Sequence, residues 1–234
     1  MAFVCRKRFQ DQVTHRLKAK KPLEEVWVAV HFRWGDIANK AIWKDPSNPN
    51  LPSQRSGLGL GDFCICVEKI LEARPDAKIF FFAEGAEQHI KNYPILKKAT
   101  VFTTSDTWRA DLDIMSQSNL LIGGESSFLR LGAFLCKNCT VIHSSTMFQV
   151  SEYEKNHLTN YNYINPISCI KWLTQEEYKS RIDPKKLGKP GHAYWQAISY
   201  DEKGNEVFTS YEGDLACYLE NINSFLSLFS SSYS

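Results

Sequence analysis

The sequence has almost no excess of charge of either sign, a net +2 over 234 residues. Binding that works by neutralising many phosphates needs a much larger cationic surplus, so a nucleic-acid wrapper is excluded and any anion should be held locally. No run approaches the roughly 18 apolar residues that a membrane span needs, and the stretch around Ile79 to Ala83 is far too short. The chain is therefore expected to be soluble. No apolar segment follows its basic start, so no cleaved secretory signal is expected, and the compartment reads as cytoplasmic or undetermined. His15, His89, His143, His157 and His192 are scattered without metal-ligand spacing, and no internal repeat is found.

Seven cysteines, an odd number, sit in a chain large enough to need no staples, and free thiols in a reduced compartment are the simpler expectation. Cys64-x-Cys66 and Cys136-x-x-Cys139 together spell a four-thiolate zinc site. The first pair lies in a helical pattern, where residues two apart point to different faces, so its geometry is poor and no metal is expected.

What the chain does have is core material: 43% apolar and 13% aromatic residues in 26.8 kDa, enough for one large α/β domain with an elaborated tail. Two full-sized nucleotide-binding lobes would not fit. Residues 1–24 read as a basic helix, with Arg6, Lys7, Arg8, Arg16, Lys18, Lys20 and Lys21 against Asp11; an organelle-targeting segment is the other reading. From residue 25 to 145, short β-branched or aromatic runs alternate with amphipathic stretches, the signature of βαβ units and a parallel sheet with helices on both faces.

Strands are expected at Val26 to Phe32, Lys78 to Ala83, Ala99 to Thr103, Asn119 to Ile122 and Thr140 to His143. Helices are expected at Gly61 to Ala73, Gly85 to Tyr93, Trp108 to Gln117 and Ser126 to Cys136. Gly57-Leu-Gly59-Leu-Gly61 follows an irregular stretch and not a strand, so it reads as a helix-entry loop. Residues 146–234 lose the βαβ rhythm and form an α+β extension. Trp195 to Tyr200 and Val207 to Tyr211 flank a Gly-containing turn, and a last helix runs from Asp214 to about Phe229. Tyr153, Tyr161, Tyr163, Trp172, Tyr194 and Trp195 read first as packing for this tail and second as a sugar-stacking platform.

Two clusters carry chemistry. His31-Phe-Arg33-Trp-Gly35-Asp36 leaves the carboxyl end of the first strand. His31 and Arg33, two apart on an extended chain, project to one side; Gly35 permits a turn, and a guanidinium fork matches phosphate oxygens. The arrangement is that of a diphosphate clamp, the alternative being a strand cap in which Asp36 pairs with Arg33. Downstream, Asp111 to Gln117 leads through a strand to Gly-Gly-Glu125-Ser126-Ser127. That turn opens a helix whose free N–H groups and serine hydroxyls make an anion site.

Together the clusters resemble the motifs of the α-1,2- and α-1,6-fucosyltransferase superfamily, which includes the protein O-fucosyltransferases: His-x-Arg-Arg-(Gly/Thr)-Asp after the first donor-lobe strand, then an Asp, a Ser-Gln pair and a Ser-Ser pair. Here Asp111, Ser116, Gln117, Ser126 and Ser127 meet the second pattern. The resemblance spans roughly residues 24 to 145. It implies a Rossmann-like GT-B donor lobe binding GDP-fucose or a related nucleotide sugar, no metal cofactor, and inverting transfer to a glycan acceptor hydroxyl. By the same resemblance Arg33 would hold the β-phosphate, His31 the nucleotide or its ribose, Asp111 the guanine edge, and Ser126 and Ser127 the diphosphate.

The sequence also departs from the family. Trp34 stands where the second arginine is usual, exchanging a cation for an aromatic surface. Glu84, in Ala83-Glu84-Gly85-Ala86, stands where the α-1,6 enzymes have Thr-Asp-Asp, and Ile37 and Ala41 replace their acceptor-side Lys and Glu. No base carries over from the family. Asp36 is the candidate base because it adjoins the clamp, with loop or Arg33 anchoring as its other reading. Glu125 reads as a helix-terminus residue or a weaker candidate. The expected architecture is a donor lobe with the acceptor lobe in a longer polypeptide, or with the extension serving acceptors; a non-catalytic nucleotide-sugar or glycan-binding module is the alternative.

Overall fold

The structure, a computed structural model, describes residues 21–34, 57–104, 108–124, 126–136, 139–144, 166–183, 185–186 and 189–230. Most of the basic amino-terminal segment, the stretch that includes Gly35, Asp36, Ile37 and Ala41, and Glu125, Tyr153, Tyr161 and Tyr163 lie outside the described residues.

Six parallel strands form the centre: β1 (Trp27–His31), β2 (Lys78–Phe82), β3 (Thr100–Phe102), β4 (Leu120–Gly123), β5 (Thr140–His143) and β6 (Pro166–Ser168). Their spatial order is β3-β2-β1-β4-β5-β6. The chain builds outward from β1 and then returns to its other side at β4. That reversal leaves a crevice beyond the carboxyl ends of β1 and β4, where such sheets take ligands.

β1 is central because it can be buried on both sides. Val28 and Val30 are fully buried and pack with Phe63, Val67 and Ile70 of α1 (Leu60–Ala73) and with Ile222 and Phe225 of α6 (Leu215–Ser230). Ala29, also fully buried, faces the other way. It packs with Met115 of α3 (Trp108–Gln117) and with Leu129 and Ala133 of α4 (Ser127–Leu135). α4 approaches α3 closely because residue 132 is glycine; a Cβ there would lie 2.9 Å from the Met115 Cβ. The short helix α2 (Glu87–Ile90) and a 3-10 turn (Pro94–Lys98) join β2 to β3.

The expected fold class, a parallel sheet with helices on both faces and an α+β extension, is the one observed, and the strand and helix positions agree with the sequence reading to within a few residues. Gly57-Leu-Gly59-Leu-Gly61 does open a helix. Leu58 and Leu60 are fully buried, Gly59 precedes the first turn of α1, and the Asp62 carboxylate accepts the Gly59 N–H at 3.1 Å. Gly57 holds φ +72°, and any side chain there would overlap Ser144. α1 stops at Arg74 because Pro75 cannot continue it.

The extension differs from expectation in three ways. β6 lies within it, yet pairs in parallel with β5, Ile167 opposite Ile142. After Cys169 the same stretch becomes β7 (Ile170–Leu173), an edge of a three-stranded antiparallel sheet of order β7-β9-β8, with β8 (Ala193–Tyr200) and β9 (Glu206–Gly213) the expected hairpin. α5 (Gln175–Arg181) was not expected. It begins at a capping box in which Thr174 Oγ1 accepts the Glu177 N–H at 3.1 Å and Glu177 accepts the Thr174 N–H at 2.8 Å.

The third difference concerns the thiols. Cys169 and Cys217 are disulfide-bonded, their Cα atoms 5.4 Å apart, which corrects the expectation that every cysteine is free. The bend brings them together. The Cys169 N–H donates to the His143 carbonyl at 2.7 Å, and its carbonyl accepts the Asp214 N–H at 3.1 Å, so the first turn of α6 is laid against the strand junction. Nothing in the local spacing of the two cysteines reveals that contact. Cys64 and Cys66 lie on the α1 side of the sheet and Cys136 and Cys139 on the α3 and α4 side, so the sheet separates the pairs. Burial pushes the Cys64 thiol up to about 12 and the Cys66 thiol higher still.

Linking positions 48 apart removes chain entropy from the unfolded state worth about 4 kcal/mol. Reduction with dithiothreitol, or the Cys217→Ser substitution, is expected to lower unfolding stability by up to that amount, read from the urea midpoint. An unchanged midpoint on reduction would show that the link contributes nothing.

Candidate functional site

The alternation of β1 continues past its last residue and decides what reaches the crevice. Even positions point to the α1 side. Phe32 is 1% exposed and meets Phe63 edge-on at 5.8 Å, and Trp34 stacks on Phe32 at 5.8 Å with His89 against its edge at 5.5 Å. Odd positions share the Ala29 side. His31 therefore rises toward the amino end of α4, where its ring lies 5.7 Å from that of Phe128, and Arg33 borders the same cleft. The aromatic surface expected of Trp34 is mostly spent in the core: its ring borders the cleft but is only 7% exposed.

A cleft of about 290 Å³ lies at the carboxyl end of the sheet, near the small end of the range for ligand pockets. It is bordered by His31, Arg33, Glu84, Asp111, Ser126 and Ser127. Thus six of the sequence-named residues, from three stretches far apart in the chain, share one cavity. Gly35, Asp36 and Glu125 lie outside the described residues. Sequence reasoning missed the aromatic part of the wall: Phe82, Phe102, Trp108 and Phe128. A signal was available, because Phe82 and Phe102 end two neighbouring strands and Trp108 and Phe128 begin the helices above them.

Each polar group has a definite local cause. Ser126 caps α4 in extended conformation, its Oγ accepting the N–H groups of Phe128 at 3.2 Å and Leu129 at 3.4 Å. Those two donors are satisfied within the protein. Ser127, the first residue of α4, is exposed and offers its hydroxyl at the positive end of the helix. Ser126 itself is 2% exposed, and with its lone pairs engaged by the cap it serves chiefly to fix that helix end. Asp111 stands in the first turn of α3 and is 6% exposed, a buried carboxylate at the cleft wall. Glu84 is exposed at the cleft, between Ala83 and Gly85, whose N–H groups donate to the Phe102 and Thr103 carbonyls at 2.8 and 3.1 Å.

His31 differs from these. Its Nδ1 is shut off from solvent and makes no hydrogen bond among the described residues. Burial, and then the neighbouring Arg33 charge, push its pKa down to about 4, so the imidazole is neutral at pH 7. An unsatisfied ring nitrogen beside a guanidinium and a helix amino end is an arrangement that a bound polar group would complete.

No protein-family model matches the chain, and no curated protein does. Among solved structures it is similar to a glycosyl transferase family 9 protein from Veillonella parvula, at 13% identity and a TM-score of 0.41 over 94% of this chain and 51% of that one. It is also similar to the trehalose-6-phosphate synthase OtsA, at 11% identity and a TM-score of 0.37 over 95% and 48%. The chain spans about half the length of these structures.

His31 is expected to titrate by NMR with a midpoint of about 4. Because the folded pKa lies below the ordinary 6.5, the unfolded chain binds the extra proton between those values. Its contribution to stability is therefore whole above pH 6.5 and is lost as pH falls toward 4. A midpoint near 6.5 would show the ring to be solvated.

Proposed function

We propose that this chain binds a nucleotide sugar and belongs to an inverting glycosyltransferase, fucosyltransferase-like, that moves a sugar from GDP-fucose or a related donor to a glycan acceptor hydroxyl. The observation that supports this reading best is the convergence of Arg33, His31 and the Ser127 end of α4 on one cleft that also holds the buried Asp111. A cation and a helix amino end face the same volume, which suits a diphosphate. A buried acceptor, Asp111, in the same wall suits the N–H edge of a base.

In the proposed step the acceptor oxygen attacks the anomeric carbon from the side opposite the nucleoside diphosphate. A carbon–oxygen bond forms, the bond to the β-phosphate oxygen breaks, and the acceptor's proton passes to a base. Charge grows on the departing phosphate, where the Arg33 guanidinium and the α4 amino end would stabilise it without reorganising. Neutral His31 would donate or accept a hydrogen bond there without adding charge. Asp36, three residues beyond Arg33, is the proposed base. The acceptor side is assigned either to the extension or to a further lobe of a longer polypeptide.

The sequence feature that favours a non-catalytic module is the presence of Ile37 and Ala41 where related enzymes carry acceptor-side Lys and Glu. Transfer or donor hydrolysis that disappears in Asp36→Ala would exclude the module; tight donor binding without turnover across an acceptor panel would favour it.

Calorimetric titration of the folded chain with GDP and GDP-fucose is expected to show binding. Arg33→Ala is expected to weaken it about 100-fold or more, with the circular dichroism unchanged, as for loss of a charge-assisted bidentate contact. Wild-type affinity in Arg33→Ala would mean that the phosphate is held elsewhere.

A further inference from the structure

We propose that Trp108 is the shelf on which the nucleobase of the bound donor stacks. The inference rests on the nucleotide-sugar reading above and adds to it a residue that neither motif contains.

Trp108 opens α3, is 49% exposed and borders the cleft. A large aromatic ring left half in solvent at a cavity wall has apolar surface to offer a ligand. The Arg109 guanidinium lies over the same indole, 5.0 Å from its centroid, and supports it from one side. A ring backed in this way presents its remaining surface to the cavity at little cost in side-chain order.

The aromatic lining of the cleft, which Trp108 shares with Phe82 and Phe102, suits a base and not a phosphate. His31 and Arg33 leave β1, whereas Phe102 ends β3, two strands away in the order β3-β2-β1-β4. Strand spacing makes that offset roughly 10 Å, a span suited to the ribose between a phosphate and its base. Phe102 lies at that end and is itself stacked on Phe82, 4.9 Å centroid to centroid and 11° between planes. Phe82 and Phe102 make the wall there aromatic, whereas the α4 end carries the Ser127 hydroxyl as well as Phe128.

Asp111 fixes the orientation. It follows Trp108 by three residues on α3, so carboxylate and indole occupy one face of the helix. A planar heterocycle with its face on the indole turns its N–H edge toward that carboxylate. A hexose on the same shelf would present hydroxyls around its whole rim, and no second buried acceptor lies on α3 beside Asp111 to receive them.

Binding of GDP and of inorganic pyrophosphate to the wild type, Trp108→Ala and Trp108→Phe separates the parts. Base stacking on an aromatic side chain predicts that Trp108→Ala weakens GDP about 10-fold or more. It also predicts an intermediate loss in Trp108→Phe and unchanged pyrophosphate affinity in both. Wild-type GDP affinity in Trp108→Ala overturns the shelf and leaves the nucleotide reading standing, as does wild-type protein that binds GDP no more tightly than pyrophosphate. A parallel fall in pyrophosphate affinity also overturns it, because the ring would then act on the anion end. Wild-type protein that binds neither ligand overturns the shelf and the nucleotide reading together.

Discussion

The pleat of one strand governs the molecule. Along Val28 to Trp34 every second side chain is committed to the core under α1 and α6, and every other one to the opposite layer under α3 and α4. From Val28 to Val30 both sets are apolar. At the strand's carboxyl end the odd set changes from Ala29 to His31 and Arg33, and the even set stays aromatic with Phe32 and Trp34. The rings wedge the strand end against Phe63 and His89, and the polar pair is thereby held in the crevice on a rigid base. A shift of one residue in register would exchange the sets, burying a guanidinium and exposing two rings, a large penalty that keeps the register single.

The extension is joined to this arrangement by polar contacts as well as by apolar ones. The buried Asp62 carboxylate accepts N–H groups from Gly59 of its own helix entry and from Gly191 before β8, the latter at 2.6 Å. Burial raises its pKa, opposed by those two hydrogen bonds and by His192. The Tyr218 hydroxyl of α6 donates to the Gly123 carbonyl at 2.6 Å, and Gly123 is the register neighbour of His31. Through these links the carboxyl-terminal helix supports the strand pair that frames the crevice.

Most of the sheet was legible in the sequence because strands buried on both faces leave dense β-branched and aromatic runs, and their helices end at visible breakers such as Arg74-Pro75. β6 was not legible. It is three residues long and gains its place from pairing with β5, not from its own composition. Trp34 was read from its position in a motif, and the pleat sent its ring to the core. At the site, the charged and hydroxyl groups were legible because each stands at a strand end or helix start. The aromatic wall was not, since a phenylalanine that lines a cleft and one that fills a core look alike until the sheet order brings β3 beside β2. The Cys169–Cys217 link belongs to the same class of tertiary facts.

The run Pro166–Leu173 finishes the parallel sheet with β6 and starts the antiparallel one with β7, with only Cys169 between them. A shortened recombinant version ending near residue 145 would strip β5 of its outer neighbour and take α6 off Val28 and Val30. Its bare rim would invite strand exchange between copies, and its uncovered valines would invite clumping. Dissecting this protein into smaller working pieces therefore has to keep the final third of the described chain attached to the first.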